Sequence, residues 1–114
     1  MTLRLTPDML AGAYDYLRTT EPFKGWKLPE SDDVGFHVVR DVHTYADFKV
    51  IDGVPTIRVS ENSVGHTYTL MTKMAHEAIH LRQHLTGDKE VHGARFKAMA
   101  KRVCAVHGFD FKAF

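Results

Sequence analysis

The sequence predicts an α+β domain: an opening helix, a small three-stranded sheet and two closing helices. Three observations carry this. Apolar residues recur at helical spacing near the start and again over the last half of the chain. Between them, from about residue 34 to 60, the pattern shifts to short runs rich in β-branched and aromatic residues. An Asp52-Gly53 pair separates two of those runs, and such dipeptides suit the positive-φ positions of a tight hairpin turn.

The first helix is expected to begin at Thr6-Pro7, with Thr6 as N-cap and Pro7 in the first turn, where a missing N–H costs nothing. Leu10, Ala13, Tyr14 and Leu17 form its apolar face, and it should stop before Glu21-Pro22. Phe23 and Trp26, in the loop that runs through Pro29, are apolar enough to fold back onto the core. Candidate strands are Phe36 to Arg40, Tyr45 to Ile51 and Val54 to Val59, read together as a mostly antiparallel sheet. Asn62 to Gly65 connects to a helix over about Thr67 to Leu85, whose stripe includes Leu70, Met74, Ala78 and Leu81, with Gly87 as C-cap. Asp88 can cap a third helix that runs to His107 and ends at Gly108, with Phe96, Met99, Ala100 and Val103 inward. The aromatic tail Phe109 to Phe114 should pack back.

At 114 residues the chain reads as one domain, residues 1–114, able to bury a core without disulfide staples. Cys104 is the only cysteine, which excludes an internal disulfide and a ribbon of paired CxxC motifs; it reads as a small core residue. No segment has the pattern of a signal peptide or a membrane span, so a cytoplasmic protein without membrane association is the expectation. Net charge is +1, too small to advertise nucleic-acid binding. The charge is unevenly spread: residues 1–61 carry 7 Lys+Arg against 10 Asp+Glu, and residues 62–114 carry 8 against 4. Arg95, Lys97, Lys101 and Arg102 give the last helix a basic character that a solvated surface explains by itself, or that weak DNA association would use.

The eight histidines are the unusual item. His76-Glu77-Ala78-Ile79-His80 is an HExxH motif inside a helical stretch. Histidines at i and i+4 lie about 6 Å apart along one helix face, so both rings can bend toward one metal ion. Glu77 is offset by roughly 100° around the axis, placed to take a proton from a metal-activated water rather than to ligate. A catalytic zinc needs a third protein ligand and an open position. His84 continues the series but lies about 12 Å from His76 along the helix, too far for one ion. His92, at the start of the next helix, can return to the metal, with Gly93 allowing close backbone approach and Phe96 as an anchor beneath. Glu90 is the rival third ligand, since carboxylates also complete such sites.

His76-Glu77-Ala78-Ile79-His80 followed by His92-Gly93-Ala94-Arg95-Phe96 resembles the SprT-like (Spartan-like) metallopeptidase domain, a branch of the HExxH zincins. Gly53 to Ser60 is also similar to the family's strand before the active-site helix. The resemblance implies a Zn2+ peptidase with ligands His76, His80 and His92, with Glu77 as catalytic acid/base, and a protein or peptide substrate. Family members act on proteins bound or crosslinked to DNA, many through zinc-ribbon or DNA-binding segments that have no counterpart here. A binding or regulatory module with little turnover, or an amidase, are the alternatives. His66 and Tyr68, just before the motif, are candidates for contacting substrate, with capping or packing as the simpler role.

Overall fold

A computed structural model describes residues 5–40, 46–61 and 67–114. The first helix, α1 (Pro7–Arg18), starts as its sequence dictates: the Thr6 side chain accepts from the Met9 N–H at 3.3 Å, and Pro7 fills the first turn. Leu10, Ala13, Tyr14 and Leu17 are its buried face. The following loop is tied down rather than loose. Phe23 and Trp26 are buried and meet edge to face at 4.9 Å, and the Arg82 guanidinium donates to the Trp26 carbonyl at 2.6 Å. The Tyr14 hydroxyl donates to the Pro29 carbonyl at 2.6 Å, which satisfies a phenol whose pKa burial drives upward.

Three strands follow: β1 (Gly35–Val39), β2 (Ala46–Ile51) and β3 (Val54–Ser60). Asp52 and Gly53 take φ values of 51° and 79°, the two left-handed positions of a two-residue hairpin, and Ile51 pairs with Val54 across it. The sheet is mixed, where the sequence suggests a mostly antiparallel one. Its order is β1-β3-β2, with β2–β3 antiparallel and β1–β3 parallel, Phe36 opposite Ile57. β2 lies on the far side of β3 from β1 and runs opposite to it. The hairpin then folds β3 back between its neighbours, which fixes its direction as that of β1. Ile57 and Val59 on the central strand are wholly buried.

The long helix α2 (Thr67–Thr86) packs on α1, β2 and β3, and buries Met74, Ala75, Ala78, Ile79 and Leu81. It ends in a Schellman motif: Gly87 at φ 73°, its N–H bonded to the His84 carbonyl and the Asp88 N–H to the Gln83 carbonyl. The next helix, α3 (Ala94–His107), begins at Gly93, not at Asp88. The Asp88 carboxylate is engaged elsewhere, by the Glu90 N–H and the Gln83 amide, and residues 90–93 close a turn through Gly93 N–H to Glu90 C=O before the helix starts. Gly108, at φ 76°, ends α3. Phe109 and Phe114 of the tail pack against the core, while Phe111 remains 46% exposed. Among the described residues, no helix is long and apolar enough to cross a membrane. Tyr45, His66 and the connector 62–65 lie outside the described residues.

Candidate metal centre

The helical period places His76 and His80 one turn apart on α2, facing the turn that precedes α3. His92 stands in that turn. The three ring centroids lie 4.9–5.5 Å apart, and one nitrogen from each ring can be chosen so that all fall within 4.8 Å of one another. Phe96, buried on the first turn of α3, sits beneath the cluster with its ring centroid 4.9 Å from each imidazole. One phenyl ring thus supports all three histidines.

Hydrogen bonding fixes which nitrogens face inward. His76 Nδ1 lies 2.7 Å from the main-chain oxygen of Phe114, which can only accept, so Nδ1 carries the proton. His80 Nδ1 lies 2.7 Å from Oε1 of Gln83. That amide's orientation is settled by its nitrogen, which donates to Asp88 Oδ2 and to the Glu90 carbonyl, both at 3.1 Å. His80 Nδ1 is therefore also a donor. The two Nε2 atoms, 3.2 Å apart, are both lone-pair acceptors and cannot bond each other. Such a pair is stable around a cation. Zinc with Zn–N bonds of ~2.0–2.1 Å in a tetrahedral site sets its donors about 3.3 Å apart, close to what this pair already shows. Burial, and next the positive charge His80 would carry, hold the His76 pKa down to about 4; burial also lowers that of His80. Both rings are thus neutral, the state in which imidazole binds metal.

Glu77 follows His76 on α2 and is the carboxyl group beside this cluster. It is 4% exposed, and burial, then the negative charge of Asp47 on β2, raise its pKa to about 8. Asp47 itself forks onto Arg58 across the β2–β3 ladder, with Arg58 Nε donating to Asp47 Oδ1 at 2.8 Å.

Of the residues singled out by sequence, His76, His80 and His92 come together, with Glu77 next to them. His84 is exposed and lies against Phe48, outside the cluster. Glu90 is exposed and contributes its main chain to the turn; its carboxylate is not part of the cluster. Tyr68 accepts from the Asp110 N–H at 3.3 Å and packs edge-on to Phe109, a tail-anchoring role. His107 bonds the Thr20 hydroxyl at 2.9 Å and stacks on Phe109, and Cys104 is a buried core residue. Two partners of the cluster carry no motif: Gln83 and the Phe114 main chain. Gln83 has a faint signal, a polar residue one turn after a ligand on the histidine face of α2.

An α+β domain with paired histidines on an HExxH helix and a third from the following turn is of the zincin type. A family model for the SprT-like family matches residues 15–113, and the chain belongs to that family. A comparison with curated proteins returns no significant match.

Proposed function

We propose that this domain is a zinc-dependent metallopeptidase, with His76, His80 and His92 holding the ion and Glu77 serving as general base. The observation that supports it most is the pair of inward Nε2 lone pairs 3.2 Å apart, an arrangement that calls for a positive ion between them. Bound zinc supplies Lewis acidity, lowering the pKa of water and polarising a carbonyl. Glu77 supplies the proton traffic. Its carboxylate takes a proton from the attacking water as the new C–O bond forms, then delivers it to the leaving amine nitrogen as the C–N bond breaks. Burial suits the role, because it moves the carboxyl's proton affinity from the acidic range toward neutrality, where a base is efficient. Purified protein should hold about one zinc per chain by elemental analysis. Glu77→Gln should keep that zinc and lose ~100-fold or more of its cleavage of an unfolded protein. A zinc-free protein, or a Gln variant that cleaves at the wild-type rate, overturns the assignment.

A second reading concerns where the domain works. Arg95, Lys97, Lys101 and Arg102 are all exposed, and none makes an ion pair with a described residue. At 100° per residue they bracket the outward arc of α3, on either side of Ala98 and Ala105. That arc suits a polyanion, and hence either substrates held on DNA or a DNA-binding module with little turnover. Fluorescence anisotropy with a labelled oligonucleotide should give affinity that falls steeply with salt and is lost when the four are replaced. Absent or salt-independent binding refutes it, and binding without any peptidase activity favours the module.

A further inference from the structure

We propose that Gln83 is the positioning residue of the metal centre, a single buried amide that sets His80 and the His92 turn in register with each other. The inference rests on the metal-binding reading above and adds how the third ligand is brought to the first two. HExxH geometry places His76 and His80 on one helix but says nothing about a residue twelve positions further on. Something must fix the turn that carries it.

Gln83 is 3% exposed, a rare state for glutamine. It lies one turn after His80 on α2, with its amide pointing away from solvent into the angle between α2 and the 88–93 segment. Each polar atom there is used. Oε1 accepts from His80 Nδ1 at 2.7 Å, which holds that ring as the Nδ1–H tautomer and leaves Nε2 for a metal. The two amide hydrogens go to Asp88 Oδ2 and to the Glu90 carbonyl, each at 3.1 Å. Those two acceptors are themselves wired into the turn. Asp88 Oδ1 accepts from the Glu90 N–H at 3.1 Å, and the Glu90 carbonyl also accepts from the Gly93 N–H at 3.0 Å. His92 is held inside the turn so closed.

Only a primary amide of this length serves both sides. A carboxylate would still accept from His80, but it has no hydrogens for Asp88 and Glu90 and would repel both oxygens. A thioether or alkyl chain of the same volume fills the space and drops every bond that Gln83 makes, leaving the His80 ring unheld and the Glu90 carbonyl with the Gly93 N–H alone.

The test is zinc affinity, measured by chelator competition on the full chain, beside urea unfolding of the metal-free proteins. Gln83→Met should weaken zinc binding about 10- to 100-fold, the usual effect of losing an outer partner of a ligand histidine. The visible absorption of the cobalt-substituted protein should shift as well, because His92 no longer meets the ion at a fixed angle. Gln83→Glu, of nearly identical volume, should lose at least ~10-fold through the turn alone; it decides the matter should the Met variant fail to fold. Asp88→Ala should be strongly non-additive with Gln83→Met, since both cut the same connection. A merely structural glutamine gives the opposite pattern: lower metal-free stability with zinc affinity and cobalt spectrum unchanged in a folded variant, and that result overturns the proposal. Failure of the underlying reading is separate and visible first, as a wild-type chain that binds no zinc.

Discussion

Adding one methyl group at Gly93 tests whether the turn before α3 is built to the tolerance that the centre needs. Gly93 is the N-cap of α3 at φ −80°, so an alanine there suffers no backbone prohibition, and the effect is purely one of space. A Cβ at this position would meet Glu90 Oε2 at 2.7 Å, Glu90 Cβ at 2.8 Å and the Glu90 carbonyl at 3.3 Å. The carboxylate tip can swing away into solvent. Glu90 Cβ cannot, because it is fixed to the main chain. Reaching ordinary contact of about 3.4 Å or more therefore opens the 90–93 turn by roughly 0.6 Å, against the 3.0 Å bond from Gly93 N–H to Glu90 C=O that closes it. Overpacking of this kind costs about 1–3 kcal/mol, or ~4–12 °C of melting temperature at the lower slope usual for domains near this size.

His92 rides on the displaced turn, and functional groups tolerate about 0.5 Å of misplacement. Zinc affinity in Gly93→Ala should accordingly fall ~10-fold or more, about 1.4 kcal/mol. Gly35→Ala supplies the control. There a Cβ would meet Thr56 Oγ1 at 2.7 Å and two Thr56 carbons at 3.2 and 3.3 Å, a comparable crowding between β1 and β3. That variant should melt lower and bind zinc as wild type does. Equal zinc affinity in both variants, measured by chelator competition on folded protein, would refute the claim that the turn transmits the clash to the ligand.

Other outcomes follow from the same geometry. Phe96→Ala removes the phenyl beneath all three imidazoles and should cost roughly 3–5 kcal/mol in urea unfolding, with looser zinc binding as the rings lose their common support. In the metal-free chain the folded pKa of Glu77, about 8, exceeds its ordinary 4.5, so its contribution to stability is whole below pH 4.5 and is lost as pH rises through 8. Between pH 6.5 and 8 chelator-treated wild type should lose about 1.5–2 kcal/mol relative to Glu77→Gln, because the lowered His76 and His80 contribute alike to both proteins and cancel in the comparison.

What could be read in the sequence was what local chemistry decides. Thr6-Pro7 opens α1, the heptad-like stripe of α2 faces the core, and Asp52-Gly53 turns the hairpin, each because the residues within a few positions select the conformation. The HExxH pair belongs to this group, since its geometry is the helix period. The structure departs from the local signals where distant parts of the chain compete. The parallel pairing of β1 with β3 has no local signature; it follows from the path between strands. Asp88 has the chemistry of a helix cap, but the Gln83 amide and the Glu90 N–H claim its oxygens, and α3 starts at Gly93. For the same reason, neither partner of the inward-facing histidines announces itself: Gln83 is a polar residue on a helix, and the Phe114 oxygen is main chain, which no side-chain pattern encodes.

The metal-free domain carries two unfavourable features within one helical turn. Two imidazole lone pairs face each other at 3.2 Å, and a carboxyl group next to them is nearly sealed from water, where burial and the charge of Asp47 both oppose its ionisation. Neither helps the fold. The surroundings nevertheless enforce both: Gln83 and Phe114 grip the outer nitrogens, and Phe96 blocks the rings from turning away. A divalent cation at the convergence point relieves the two at once, by accepting the lone pairs and by favouring ionised Glu77. Metal binding then adds directly to folding stability, by RT ln(1 + [L]/Kd) for a ligand that the unfolded chain does not hold. The opposition is local, it is maintained by residues outside the motif, and one cation would remove it; that combination is what fits His76, His80 and His92 to hold a metal ion.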